Sequence, residues 1–78
     1  MTDYELMGAA LEEAARAAAL GEVPVGAVVA RNGEIIAAAH NTRETEKNAL
    51  HHAELLAIDA ACKKLGGWRL WQCELFVT

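Results

Sequence analysis

The fold is decided by the stretch Val23-Pro24-Val25-Gly26-Ala27-Val28-Val29-Ala30-Arg31-Asn32-Gly33-Glu34. Its first eight residues are almost all apolar and rich in β-branched side chains, which predicts a strand over 23–30 that is buried on both faces. Pro24 is compatible with that strand only because it lies at the strand's start. Asn32-Gly33 between two apolar runs is the strongest short-range signal for a hairpin, so we expect an antiparallel partner strand over 35–40.

A helix is predicted before this hairpin. Thr2-Asp3-Tyr4-Glu5 has the pattern of a capping box, and Gly21 is a natural stop. Apolar residues recur at helical spacing and predict a buried face made of Met7, Ala10, Leu11, Ala14 and Ala18. On the solvent side we expect Glu12 to pair with Arg16.

A second helix is predicted over 53–65, ended by Gly66-Gly67. Its apolar residues form two neighbouring stripes: Leu56, Ala57, Ala60 and Lys64 on one, and Leu55, Ile58, Cys62 and Leu65 on the other. A turn over 68–71 and a last strand over 73–78 follow. The predicted order is α-β-β-α-β, in three α/β/α layers with one helix on each face of the sheet. The crossover should be right-handed, and the last, apolar strand is left as an unpaired edge.

Composition limits the classes of function. The chain has 78 residues, which is at most one domain, and 54% of them are hydrophobic, which indicates a globular chain. Its net charge of -4 makes it a poor binder of a phosphate backbone when alone. The N-terminus has no signal-peptide pattern and no apolar run could span a bilayer. Cys62 and Cys73 have no metal-binding spacing, and we expect reduced, buried thiols in a cytoplasmic chain, with a disulfide as the alternative.

The residues that indicate chemistry are His51-His52-Ala53-Glu54, at the start of the second helix. Imidazole is a common zinc ligand, and a carboxylate two residues further on can share its pocket, because the histidine need not yet have helical dihedrals. Such a carboxylate can act as a general base and then as a general acid. His-x-Glu also arises by chance, as a cap or as a surface feature, and spacing alone leaves His51 as an alternative ligand.

Four spaced motifs together resemble the bacterial tRNA-specific adenosine deaminases of the cytidine deaminase-like superfamily. The motifs are the run from Glu22 to Val28, Asn41 after the hairpin, His52-Ala53-Glu54, and Leu75-Phe76-Val77-Thr78. The resemblance implies a zinc-dependent hydrolytic enzyme that converts adenosine to inosine at the anticodon wobble position of tRNA. It implies that His52 binds zinc and Glu54 shuttles protons, while Asn41 hydrogen-bonds the nucleoside and the backbone of Ala53 lines the base pocket.

In this family a Pro-Cys-x-x-Cys segment normally supplies two cysteine ligands after a strand such as 73–78. Residues 1–78 are therefore expected to be the N-terminal portion of a CMP/dCMP-type zinc deaminase domain, with an incomplete cytidine deaminase-like fold. The partners this implies are a complementary C-terminal half, a tRNA substrate and a second copy in a homodimer. The alternatives are a portion of a guanine or cytosine deaminase acting on free bases, or a catalytically dead fold that serves in assembly.

The remaining conspicuous residues have structural interpretations. Trp68 and Trp71 are expected to cap a core edge or fill a subunit contact instead of stacking on bases. His40 and His51 are interpreted as structural or loop residues, and His51 lies where the family commonly has a small residue. Cys62 and Cys73 are expected to belong to the core.

Overall fold

A computed structural model describes residues 1–44, 51–67 and 69–78. The elements in chain order are α1 (Asp3–Ala19), β1 (Gly26–Arg31), β2 (Glu34–His40), α2 (Ala53–Leu65) and β3 (Cys73–Val77). The sheet has the order β2-β1-β3, and β1 is antiparallel to both neighbours. β2 and β3 therefore run parallel to each other, joined by α2. The predicted α-β-β-α-β order is confirmed, whereas the prediction on Trp68 lies outside the described residues.

The predicted hairpin is confirmed by its backbone. Asn32 and Gly33 both have positive φ angles, 53° and 76°, as a type I′ turn requires. The first strand begins three residues later than expected, at Gly26, and Val23 is 62% exposed. The reason is local, because Val25 donates its N–H to the carbonyl of Val23 at 2.8 Å, and Pro24 has no N–H to offer a ladder.

The two helices cover opposite faces of the sheet, so the three-layer arrangement is also confirmed. Ala27 and Val29 of β1 pack towards α2, and Val28 and Ala30 pack towards α1. All four side chains are at most 1% exposed, which confirms that this strand is buried on both faces. β3 contributes to both layers from the side, and among the described strands it pairs only with β1. Its outer edge is open in this part of the chain, as expected for an edge strand.

The capping box of α1 is confirmed, but the predicted buried face is rotated. The buried residues are Leu6, Ala10, Ala14 and Ala17. Met7 and Leu11, which were expected inside, are 36% and 57% exposed. Alanines occur on several sides of this helix, so the periodicity of apolar residues does not show which of two adjacent faces is buried. The predicted pairing of Arg16 with Glu12 is wrong for the same reason, since Arg16 pairs with Glu13.

The predicted stripes of α2 are also corrected. The buried stripe consists of Ala53, Ala57 and Ala61, and Leu55 is 47% exposed. Alanine at four-residue spacing lets the helix lie close to β1 and β2, and the larger side chains then fall at the margins. Gly66 ends the helix with a left-handed conformation, φ 73°, as predicted.

The other structural predictions have mixed outcomes. Cys62 and Cys73 are free thiols, as expected, but are half-buried and not fully buried. Cys73 packs against the core between the sheet and α2. Trp71 is 67% exposed and so does not cap the core formed by the described residues. Within those residues, no helix has both the length and the apolar character needed to cross a membrane.

Candidate functional site

The start of β1, the ends of β2 and β3 and the start of α2 lie together at one end of the strands. This end of the sheet is called the sheet edge. Gly26, which opens β1, pairs with His40, which closes β2. Thr78 follows β3 and binds the same glycine twice: its Oγ1 accepts from the Gly26 N–H and its own N–H donates to the Gly26 carbonyl, both at 3.0 Å. These bonds align the carboxyl ends of β2 and β3 beside the helix start.

His52 and Glu54 lie at the N-terminus of α2. His52 is the N-cap residue, with extended dihedrals of φ -79° and ψ 146°, and its side chain makes no capping bond. Its Nδ1 is 3.6 Å from Oε1 of Glu54, and the two side chains are 39% and 37% exposed. The extended N-cap conformation turns both side chains to the same side, as the sequence argument required.

Asn41 supplies the cap that His52 does not. Its Oδ1 accepts from the N–H of Ala53 at 2.7 Å, and its own N–H donates to the carbonyl of Val25 at 3.2 Å. Asn41 is 4% exposed and Ala53 is fully buried. The structure therefore brings Asn41 and Ala53 into direct contact, with His52 and Glu54 adjacent to them at the same helix start.

His51 contributes a backbone hydrogen bond at this helix start. Its carbonyl accepts from the N–H of Thr42 at 3.1 Å, which joins the end of the segment after β2 to the segment before α2. The two flanks of the 45–50 segment are therefore held together at the helix start. Spacing alone leaves His51 open as a metal ligand, and this contact shows a structural use of its main chain.

Two acidic residues near this edge, one buried and one partly buried, were given no role from the sequence. Glu22 is 6% exposed and its Oε1 accepts from the N–H of Glu44 at 3.2 Å, which anchors the segment leaving Asn41. Glu13 of α1 binds His40 across the sheet edge, with 2.7 Å between Oε1 and Nδ1. The only sequence signal for Glu22 is its position directly before an apolar run. Glu13 gives no signal, because its partner is 27 residues away.

The donor atoms at this edge fit one of the ligand positions of a zinc site. A catalytic zinc takes about three protein ligands and keeps one position open. His52 offers an accessible imidazole, and Glu54 places a carboxylate beside it. Within the described ranges, this edge included, His, Cys, Asp and Glu side chains do not form a group of three that could hold a metal ion.

Comparison with known families agrees with this geometry. The family model described as the cytidine and deoxycytidylate deaminase zinc-binding region matches residues 1–78. The tRNA-specific adenosine deaminase of Bacillus subtilis (strain 168) is 58% identical over 79 residues, covering 100% of this chain and 49% of that protein. The tRNA-specific adenosine deaminase of Aquifex aeolicus (strain VF5) is 54% identical over 69 residues, covering 88% and 46%.

Solved structures show the same fold. A structure from a study of A-to-I editing by tRNA:A34 deaminases has a TM-score of 0.92 at 39% identity, covering 96% of this chain and 58% of that one. The guanine deaminase of Bacillus subtilis has a TM-score of 0.93 at 35% identity, covering 99% and 50%. The chain spans about half the length of the curated relatives it matches. With the family model matching from the first residue to the last, this chain belongs to the family of the cytidine and deoxycytidylate deaminase zinc-binding region.

Proposed function

We propose that residues 1–78 are the N-terminal portion of a CMP/dCMP-type zinc deaminase domain. The complete protein would convert adenosine to inosine at the wobble position of a tRNA anticodon. The observation that carries the proposal is the convergence of Asn41, His52, Ala53 and Glu54 at one helix start. The similarity to proteins named tRNA-specific adenosine deaminases supports the choice of substrate.

In this proposal His52 is the zinc ligand that this chain supplies. Zinc, when bound, lowers the pKa of a water molecule towards neutrality and so provides the nucleophile for hydrolysis. Glu54 would accept the proton that the attacking water loses and deliver it to a ring nitrogen of the adenine. It would then carry the second proton of that water from the new hydroxyl group to the amino group, which leaves as ammonia. A single carboxylate can serve both transfers, first as a general base and then as a general acid.

Asn41 and Ala53 form the substrate side of the proposed site. The Oδ1 of Asn41 is engaged by the Ala53 N–H, which fixes the plane of the side-chain amide. Its NH₂ group is then the part available to donate to an acceptor on the nucleoside. Ala53 is small, and in this proposal its backbone forms a flat wall of the base pocket.

The proposal requires partners for this portion. A complementary C-terminal half with a Pro-Cys-x-x-Cys segment would contribute the two cysteine ligands. It would also supply most of the grip on tRNA, because this chain carries a net charge of -4. We further propose that the complete enzyme is a homodimer and acts in the cytoplasm, where its tRNA substrate is found.

A second candidate function is deamination of a free base. The guanine deaminase of Bacillus subtilis matches nearly the whole chain with a TM-score of 0.93, so the fold alone does not separate the two substrates. The identity to that protein is 35%, against 58% and 54% for the two tRNA-specific enzymes. A catalytically dead module for assembly is the third possibility, and it predicts no turnover on either substrate.

The test measures product from both substrate classes with the complete protein. An anticodon stem-loop with adenosine at the wobble position should yield inosine. Free guanine should yield no xanthine, and free cytosine should yield no uracil. Glu54→Gln keeps size and hydrogen bonding but cannot carry the proton, so turnover should fall by at least about two orders of magnitude with zinc retained. His52→Ala should lose the metal, as measured by elemental analysis.

The matched control is His51→Ala, one residue away, which should keep both zinc and activity. Loss of zinc in His51→Ala with retention in His52→Ala would show that the ligand has been assigned one residue out of register. Xanthine or uracil without inosine would establish the free-base alternative, and the absence of all three products would establish the assembly module.

A further inference from the structure

His40 and Asn41 are consecutive residues whose side chains are held from opposite faces of the sheet. Successive side chains of an extended segment point to opposite sides. His40 Nδ1 lies 2.7 Å from Glu13 Oε1 on α1, whereas Asn41 Oδ1 accepts from the Ala53 N–H on α2. The two residues therefore connect both helices across the edge that carries the proposed site.

The contact between Glu13 and His40 is well protected from solvent. The two side chains are 13% and 23% exposed, and the second carboxylate oxygen of Glu13 binds the guanidinium of Arg16. A hydrogen bond to a carboxylate in such surroundings is stronger than one at an open surface. This three-residue chain therefore resists movement of the end of β2 relative to α1.

Gly26 makes the close approach of α1 possible. It is the register partner of His40 in the β1–β2 ladder. A Cβ at this position would lie 2.1 Å from the carbonyl oxygen of Ala10 and 2.7 Å from Cβ of Glu13. Because Gly26 has no side chain, the helix reaches the sheet edge and Glu13 reaches His40.

We propose that His40 and Glu13 are positioning residues that hold Asn41 in place for the substrate from the opposite face of the sheet. This inference rests on the proposed function, in which the amide of Asn41 hydrogen-bonds the nucleoside. Neither His40 nor Glu13 contacts the reacting atoms in this assignment. They determine where the strand ends, and hence where the next residue presents its side chain.

The experiment uses the complete protein and measures kcat and KM on an anticodon stem-loop, together with zinc content and the thermal midpoint. His40→Leu removes the hydrogen bond to Glu13 and should lower kcat/KM by about three- to tenfold, mainly through KM, with zinc unchanged. His40→Asn places a side-chain donor near the Nδ1 position and should restore most of the loss. Glu12→Gln, one residue from Glu13 and exposed, is the matched control and should leave the kinetics unchanged.

The decisive arm repeats His40→Leu in an Asn41→Ala background. If His40 acts through Asn41, the substitution should add less than about twofold there. An undiminished effect in that background, or no rescue by His40→Asn, would overturn the positioning role while leaving the proposed function standing. An Asn41→Ala variant with unchanged tRNA kinetics would instead remove the role of Asn41 in the proposed function, and this inference with it.

Discussion

At the scale of single residues, Asn41 has a structural task and a proposed chemical one. Its Oδ1 caps α2 through the Ala53 N–H, because the N-cap residue His52 makes no capping bond. A buried asparagine that caps a helix needs no further explanation on structural grounds alone. A substitution that removes the cap and the amide together would therefore not separate the two tasks.

The substitution Asn41→Asp separates the capping task of Asn41 from its proposed chemical task. Aspartate retains an acceptor for the Ala53 N–H and is as good a cap as asparagine, but it has no NH₂ donor. We expect its stability to stay within about 1 kcal/mol of the native protein, while Asn41→Ala loses about 1–3 kcal/mol by leaving a buried N–H unsatisfied. Both variants should lower kcat/KM on tRNA at least about tenfold, and thermal denaturation and kinetics on the complete protein measure the two effects. Full activity in Asn41→Asp would mean that Asn41 is only a cap.

At the scale of elements, the packing of α1 on the sheet depends on Gly26. The Cβ of an alanine would lie 2.1 Å from the Ala10 carbonyl oxygen and 2.5 Å from the Ala14 nitrogen. Both atoms belong to helix backbone, so the helix as a whole would have to move. Gly26→Ala should therefore destabilise the protein by about 1–3 kcal/mol or more, as measured by denaturant unfolding.

Gly8→Ala is the matched control for this prediction. Gly8 lies inside the same helix, and a Cβ there would have no atom within 4 Å. Alanine is the better helix former, so this variant should gain about 0.5–1 kcal/mol. Equal effects of the two substitutions would contradict the proposed close approach of α1 and the sheet.

The capping box of α1 predicts a pH effect. The hydrogen bond from the Thr2 N–H to Glu5 lowers the pKa of that carboxyl below its ordinary value of 4.5. Because the unfolded chain binds a proton to Glu5 more readily, the stability from this group is present above pH 4.5 and is lost as the pH falls through the lower folded pKa. Glu5→Gln should therefore lower the thermal midpoint more at pH 7 than at pH 3.

The control for the capping box is Glu12→Gln on the same helix, which is exposed and lies outside the box. The difference in thermal midpoint between this variant and the native protein should not follow the same pH dependence. If the difference in thermal midpoint between Glu5→Gln and the native protein grew as the pH fell, the predicted direction of the pH effect would be wrong.

At the scale of the whole molecule, the core is small in volume. Nine of its twelve buried hydrophobic residues in the described ranges are alanines, and the largest fully buried side chains are Leu6, Val28 and Val29. Trp71, shortly before β3, and Leu75, within it, are by contrast 67% and 45% exposed. A small core with an open apolar edge is unfavourable for an isolated polypeptide.

We therefore expect the 78-residue polypeptide, expressed by itself, to self-associate or unfold without a cooperative transition. Addition of a complementary deaminase half should restore a sharp transition, because it would cover the edge of β3. Analytical ultracentrifugation and thermal denaturation across a concentration series measure both states. A dilute monomer with a sharp transition and no partner would contradict this expectation.

Sequence alone determined the element order, the hairpin turn and the placement of His52 and Glu54 at a helix start. These features depend on local chemistry: a capping box, an Asn-Gly turn with positive φ angles, and a spacing of two residues. Only the tertiary structure decided which faces of the helices are buried, because a helix rich in alanine is apolar on several sides. The tertiary structure also decided the contacts between distant residues, such as Asn41 with Ala53 and Glu13 with His40. These contacts form because the folded sheet brings together residues that are far apart in the sequence and show no regular spacing.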